Sequence, residues 1–159
     1  MKNILLITFF IAVIYNPSQA QKNPEPISIG EKITFYSKTL NEDRKLWIYV
    51  PDKTAFQNDK EKKYPVMFVL DGESHFYATV GLVQQLSQVN LNSIVPEMII
   101  VGIENTNRFK DLTPKSNSQS PFETFLNSEL IPFINDNYNA APYRILVGHS
   151  LGGLLAINI

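Results

Sequence analysis

The sequence predicts an α/β protein, with a mostly parallel sheet and helices on both faces. Three observations lead there. The runs Pro65–Leu70 and Met98–Ile103 are continuously apolar rather than alternating, the pattern of strands buried on both sides. From residue 65 onward, strand-like and helix-like stretches alternate three times, which builds a parallel sheet by crossover helices. The last apolar strand, Arg144–Gly148, runs straight into Gly148-His149-Ser150-Leu151-Gly152, a glycine-flanked turn between a strand and an apolar helix.

Composition bounds the rest. The 159 residues are 44% hydrophobic and 18% charged, with a formal net charge of -1, which describes one globular domain. Near-neutral charge lacks the basic footprint of a nucleic-acid binder, so no nucleic-acid partner is expected. The absence of cysteine excludes disulfides, thiolate catalysis and cysteine-ligated zinc. His75 and His149 are the only histidines, too few for a histidine-rich metal cage. No metal and no cofactor are therefore expected.

Residues 1–20 read as a secretory signal peptide. Lys2 supplies the positive start, Ile4–Ile14 is apolar apart from Thr8, and Ser18 and Ala20 are the small residues of a cleavage site. The run is shorter than the roughly 20 apolar residues that cross a bilayer. A secreted or periplasmic protein is expected, with no membrane span once the signal is removed. Residues 21–30 form a flexible lead-in, and 31–159 the folded part.

The elements follow in order. Lys32–Lys38 alternates around Ile33 and Phe35, a strand. Lys45–Val50 is rich in β-formers and stops at Pro51, a second strand. Asp52–Lys63 is a solvated connection. Pro65–Leu70 ends at Asp71-Gly72. His75–Val89 places Phe76, Val80, Leu82, Val83 and Leu86 near helical spacing. After Met98–Ile103, residues 104–120 show no period and exceed the usual connection of about 4–6 residues, as binding loops do. Ser120, Pro121 and Glu123 form a helix start, with a capping serine, proline in the first position and glutamate in the third. Pro132 lies inside that helix and should kink or split it. Leu151–Ile159 begins a last apolar helix.

The turn at 148–152 fits G-x-S-x-G. A sharp strand-to-helix turn holds such a serine in a strained backbone conformation with its hydroxyl exposed above the sheet, and flanking glycines let strand and helix approach. Ser150 is the candidate nucleophile. The backbone N–H of Leu151, at the helix start, can donate to a developing oxyanion. A plain glycine-rich turn is the alternative for five residues in isolation; the apolar strand before and the apolar helix after favour the nucleophile.

At these residues the chain resembles the α/β-hydrolase fold, a three-layer sandwich. Within it the chain is similar to the putative esterase family, which includes S-formylglutathione hydrolases, feruloyl esterases, enterobactin-type siderophore esterases and mycolyl transferases. Trp47-Ile48-Tyr49-Val50-Pro51, Lys62–Val66 leading into Leu70-Asp71-Gly72, Glu129–Ile134 followed by Tyr138, and Gly148–Gly153 carry the resemblance. It implies a serine esterase that cleaves an ester or thioester through an acyl-enzyme on Ser150, with a small-molecule or glycan- or siderophore-type ester as substrate. It also implies that the second oxyanion donor comes from the loop after the third strand, the N–H of Gly72 or Glu73. Arg108-x-x-Asp111-Leu112-Thr113-Pro114 is similar to segments of siderophore-esterase-like members. Arg108 would hold an anionic or phenolic part of a substrate, or else pair with an aspartate to order its loop. His75 and His149 enter as candidate substrate contacts rather than as the base, because this fold orders its triad as serine, then acid, then histidine.

Residues 151–159 contain neither an acid nor a histidine. The expectation is the N-terminal part of an α/β-hydrolase domain, truncated after the nucleophile elbow, with an exposed last strand and little activity of its own. Two other readings share these residues: a non-catalytic α/β-hydrolase-like binding protein, and an acyltransferase that passes the acyl group to a sugar or lipid.

Overall fold

The computed structural model describes residues 25–51, 62–87, 89, 93–115 and 119–159. The expected signal peptide lies outside the described residues, as do the start of the lead-in and most of the polar connection after Pro51. The order is β1 (Glu31–Ser37), β2 (Glu42–Tyr49), β3 (Tyr64–Leu70), α1 (Gly72–Ser87), β4 (Ile99–Ile103) and α2 (Arg108–Leu112). Then come α3 (Pro121–Phe125), a π-helical turn (Leu126–Leu130), α4 (Ile131–Asn137), β5 (Ala140–Val147) and α5 (Leu151–Ala156).

The five strands form one sheet in the order β1-β2-β4-β3-β5. β1 and β2 pair antiparallel, β2 and β4 pair antiparallel, and β3 is parallel to both β4 and β5. Only β2 therefore runs against the rest, so the sheet is mostly parallel as the sequence predicts. The continuous apolar runs are explained by helices on both faces. Val66, Phe68 and Leu70 of β3 and Ile99, Val101 and Ile103 of β4 point to one side. There they pack with Leu112, Phe122, Phe125, Leu130, Ile134 and Leu155 from α2 to α5. Val69 and Ile100 point the other way, against Phe76, Val80 and Val83 of α1. Period-two alternation with an apolar layer on each face leaves no polar position in a central strand.

Several boundaries differ from the sequence reading, each for a local reason. α1 begins at Gly72, before His75, because the Asp71 carbonyl accepts from the N–H groups of Ser74 and His75 at 2.9 and 3.2 Å. β5 begins at Ala140, paired with Tyr64, and carries Pro142 inside a register irregularity between the Tyr64–Ala140 and Val66–Arg144 pairs, where a proline is tolerated. The stretch 104–120 contains α2. Its N-cap is Asn107, whose Oδ1 accepts from the Lys110 N–H at 3.1 Å.

Pro132 distorts the long helix rather than dividing it, since residues 121–137 stay helical through a π-helical turn. A proline there has no N–H for the Ser128 carbonyl, and the preceding turn widens, with the Ile131 N–H bonding to Leu126. Glu129, in that turn, reaches across to the β1–β2 hairpin. Its carboxylate accepts from Ser37 Oγ at 2.6 Å, from the Thr39 N–H at 2.8 Å and from Thr39 Oγ1 at 2.7 Å. Among the described residues, no helix is long and apolar enough to cross a membrane.

Candidate active site

The C-terminal ends of β3, β4 and β5 bring three segments together, the crevice position of a parallel sheet. These are the β3–α1 turn, the segment after β4 and the β5–α5 turn.

The β5–α5 turn has the conformation that its glycines predict. Ser150 is exposed and lies at φ 54°, ψ -116°, a region that L residues avoid. Gly148 is required by packing, since a Cβ there would sit 2.3 Å from the Gly152 carbonyl carbon. The turn closes through a Gly152 N–H to His149 carbonyl bond of 3.0 Å and a Leu154 N–H to Ser150 carbonyl bond of 2.9 Å. Leu151 is the first residue of α5, so its N–H is one of those that a helix start leaves without an intrahelical partner.

The β3–α1 turn is built alike. Asp71 also has positive φ, at 55°, and Gly72 and Glu73 open α1, again with N–H groups that have no intrahelical acceptor. Gly72 itself is not at positive φ. Its close approach is to β4: a Cβ would lie 2.6 Å from Gly102 C and from Ile103 N. The Glu73 side chain turns to Asn105, whose N–H donates to Oε2 at 3.2 Å and whose Nδ2 donates to Oε1 at 2.8 Å.

Arg108 stands between the two turns. Its Nε donates to Asp71 Oδ1 at 2.6 Å and its Nη2 to Asp71 Oδ2 at 3.1 Å, while Nη2 also reaches the His149 carbonyl at 3.3 Å. Asn105 Nδ2 donates to Asp71 Oδ1 at 2.7 Å. Burial pushes the Asp71 carboxyl up, but the bonds from Arg108 and Asn105, with the charges of Arg108 and His75, outweigh it and hold the group below its ordinary 3.8. The Arg–Asp pair foreseen for the loop exists, but its aspartate is Asp71. Asp111 instead points inward, to Arg44 at 2.7 Å. The His75 and His149 rings pack edge to face, 5.8 Å apart at the rim of the site.

The structure thus brings Ser150, Leu151, Gly72, Glu73, Arg108, His75 and His149 to one end of the sheet. Sequence reasoning missed Asp71 and Asn105 as members of the cluster. Asp71 was legible only as a strand-ending turn, and Asn105 carries no local signal at all. Among the described residues, no group of three or more acids and histidines is placed to hold a metal ion.

Comparison with known proteins agrees with this architecture. Residues 37–159 match the esterase family model, whose description is "Putative esterase". An IroE-like serine hydrolase from Shewanella oneidensis is 35% identical, with a TM-score of 0.71 over 80% of this chain and 45% of that one. The BES protein from Bacillus cereus is 28% identical, with a TM-score of 0.69 over 87% of this chain and 58% of that one. The uncharacterized protein YjcH of Bacillus subtilis is 28% identical over 145 residues, 84% of this chain and 56% of its own length. The chain spans about half the length of the curated relatives it matches. With its three-layer α/β-hydrolase architecture and a family match over most of its length, the chain belongs to the esterase family.

Proposed function

We propose that the whole protein is a serine esterase in which Ser150 attacks the carbonyl of an ester or thioester and forms an acyl-enzyme. The observation that carries this reading is the backbone of Ser150, at φ 54° and ψ -116°, in an exposed turn between β5 and α5. Strain of about 1–3 kcal/mol persists where the surroundings over-determine it, and such strain clusters at active sites. As the serine oxygen adds to the carbonyl carbon, negative charge moves onto the carbonyl oxygen. The Leu151 N–H and the N–H of Gly72 or Glu73 are the donors assigned to that charge, each at the positive end of a helix. Residues 151–159 contain no acid and no histidine, so within this chain only nucleophile and oxyanion roles are assigned.

The substrate class proposed is a small-molecule ester, siderophore-type esters among them. The 35% identity to an IroE-like serine hydrolase supports hydrolase chemistry. The fold similarity to the enterobactin esterase FES from Shigella flexneri, 24% identical with a TM-score of 0.60, is the reason to name siderophore-type esters within that class. Export is proposed from residues 1–20, and N-terminal sequencing of the mature protein is expected to begin at Gln21.

The test is turnover of a p-nitrophenyl ester by the complete natural protein. Ser150→Ala is expected to abolish it, and an unaffected rate removes Ser150 from the site. The 159-residue chain assayed alone is expected to show little Ser150-dependent turnover. A serine hydroxyl is a weak nucleophile unless a base takes its proton, and loss of triad members leaves only about 10³–10⁴-fold acceleration over water. Robust Ser150-dependent turnover by that chain would overturn the expectation that it has little activity of its own.

A further inference from the structure

Two turns supply the proposed chemistry, and each holds a non-glycine residue at positive φ, Asp71 at 55° and Ser150 at 54°. Neither turn is tied down only by its own hydrogen bonds. The Arg108 guanidinium grips Asp71 with two bonds, at 2.6 and 3.1 Å, and touches the His149 carbonyl at 3.3 Å, one residue before the serine. Gly152 closes the same contact from the other side: a Cβ there would be 3.3 Å from Asp71 Oδ2, so the first turn of α5 sits on the Asp71 carboxylate. α2, which carries Arg108, is anchored in turn by the buried pair of Asp111 and Arg44.

We propose that Arg108, acting through Asp71, is a positioning strap that sets the spacing between the two oxyanion-donor turns, rather than the receptor for an anionic part of the substrate. This rests on the assignment of Ser150, Leu151 and the β3–α1 turn made above. The chemistry of the pair supports it. A bidentate arginine–carboxylate fork fixes both distance and orientation, which a lysine point charge does not. Asp71 also neutralises the guanidinium, which weakens it as a receptor for a further anion. An oxyanion hole acts only if its donors are already about 2.7–3.1 Å from the place the charge will occupy. A misplacement of about 1 Å from a residue outside the chemistry can cost about 100-fold in rate.

The experiment uses the complete natural protein and two readouts. The first is kcat and KM for p-nitrophenyl acetate, a neutral ester, beside an ester that carries a carboxylate. Arg108→Ala is expected to lower kcat for both esters by about 100-fold, and Arg108→Lys by about 10-fold, with KM within about threefold of wild type. Asp71→Asn should behave like Arg108→Lys, and the double variant Asp71→Asn/Arg108→Ala should be no worse than Arg108→Ala alone, since both act through one contact.

The second readout is hydrogen exchange at residues 71–74 and 148–152, which needs no turnover. Arg108→Lys is expected to speed exchange in both turns together. Exchange that is unchanged, or that rises in one turn only, overturns the strap. So does a KM rise confined to the anionic ester with kcat intact, because that is the signature of a substrate ligand. If Ser150→Ala retains wild-type turnover, the catalytic reading fails separately, and coupled exchange still decides whether Arg108 joins the turns.

Discussion

The Asp71 carboxylate is paired with Arg108, and that makes acid a probe of the site. Its folded pKa lies below the ordinary 3.8, with burial opposing and Arg108 and Asn105 outweighing it. A carboxyl with a lowered folded pKa adds stability above its unfolded value and loses it as pH falls through the folded one. Urea midpoints of the wild type should therefore fall on acidification below about pH 4, and Asp71→Asn should flatten part of that slope. Part of the slope should remain, because Glu129 is also lowered from 4.5, where bonds from Ser37 and Thr39 outweigh burial. An identical acid slope in wild type and Asp71→Asn would contradict the Arg108 contact. Glycines give a second residue-level test. A Cβ at Gly148 would lie 2.4 Å from the Gly152 carbonyl oxygen, so Gly148→Ala should cost about 1–3 kcal/mol through overpacking. Gly81, exposed within α1, has nothing within 4 Å of an added Cβ, so Gly81→Ala should gain about 0.5–1 kcal/mol from helix propensity. Thermal unfolding of the two variants should move in opposite directions.

The joints between secondary structures depend on a few polar residues in apolar surroundings. Arg44 of β2 is fully buried; it bonds to Glu42 and Asp111, each at 2.7 Å, and to the Glu104 carbonyl at 3.1 Å. Its guanidinium also lies 5.4 Å from the Phe122 ring centroid and 5.8 Å from that of Phe125. One group thereby joins β2, α2 and α3. Removing a single partner of such a pair strands the other charge, so Arg44→Met should destabilise by about 3–5 kcal/mol. Pairing it with Asp111→Leu should recover part of that loss, and chemical denaturation of the single and double variants measures both. α2 itself was illegible in the sequence because five residues show barely more than one helical turn. Its position is set by Asp111 reaching Arg44 across 67 residues of chain. That Pro132 would disturb its helix was legible, because a missing N–H is a local property. The answering role of Glu129 was not, because its partners are about 90 residues away.

The sheet has two edges among the described strands: β1, paired only with β2, and β5, paired only with β3. Tyr143 and Arg144 of β5 are exposed. Beside the edge, Phe68, Leu126, Ile131 and Leu146 line a small apolar pocket of about 150 Å³. An unpaired strand with apolar flanks is a template for association. The 159-residue chain made alone is expected to show a mass that rises with concentration in light scattering. A constant monomer mass up to about 100 μM would show that this edge is not adhesive, since specific contacts of the size seen in real interfaces bind at or below that range.

Local chemistry is what the residue order settled. Continuous apolar runs require strands with two covered faces, proline opens a helix in its first turn and disrupts one in its interior, and a glycine-flanked serine between strand and helix makes a strained, exposed turn. Each of these depends on neighbours within a few positions, so each could be read before any fold was known. The pairing of Arg108 with Asp71 rather than Asp111, the inward turn of Asp111 to Arg44, and the recruitment of Asn105 depended on something else. Sequence shows which residues can form an ion pair, but several acids lie within reach of each arginine. Only the crossover of β3, β4 and β5 decides which carboxylate arrives at bonding distance and in a buried setting, where the choice carries energy.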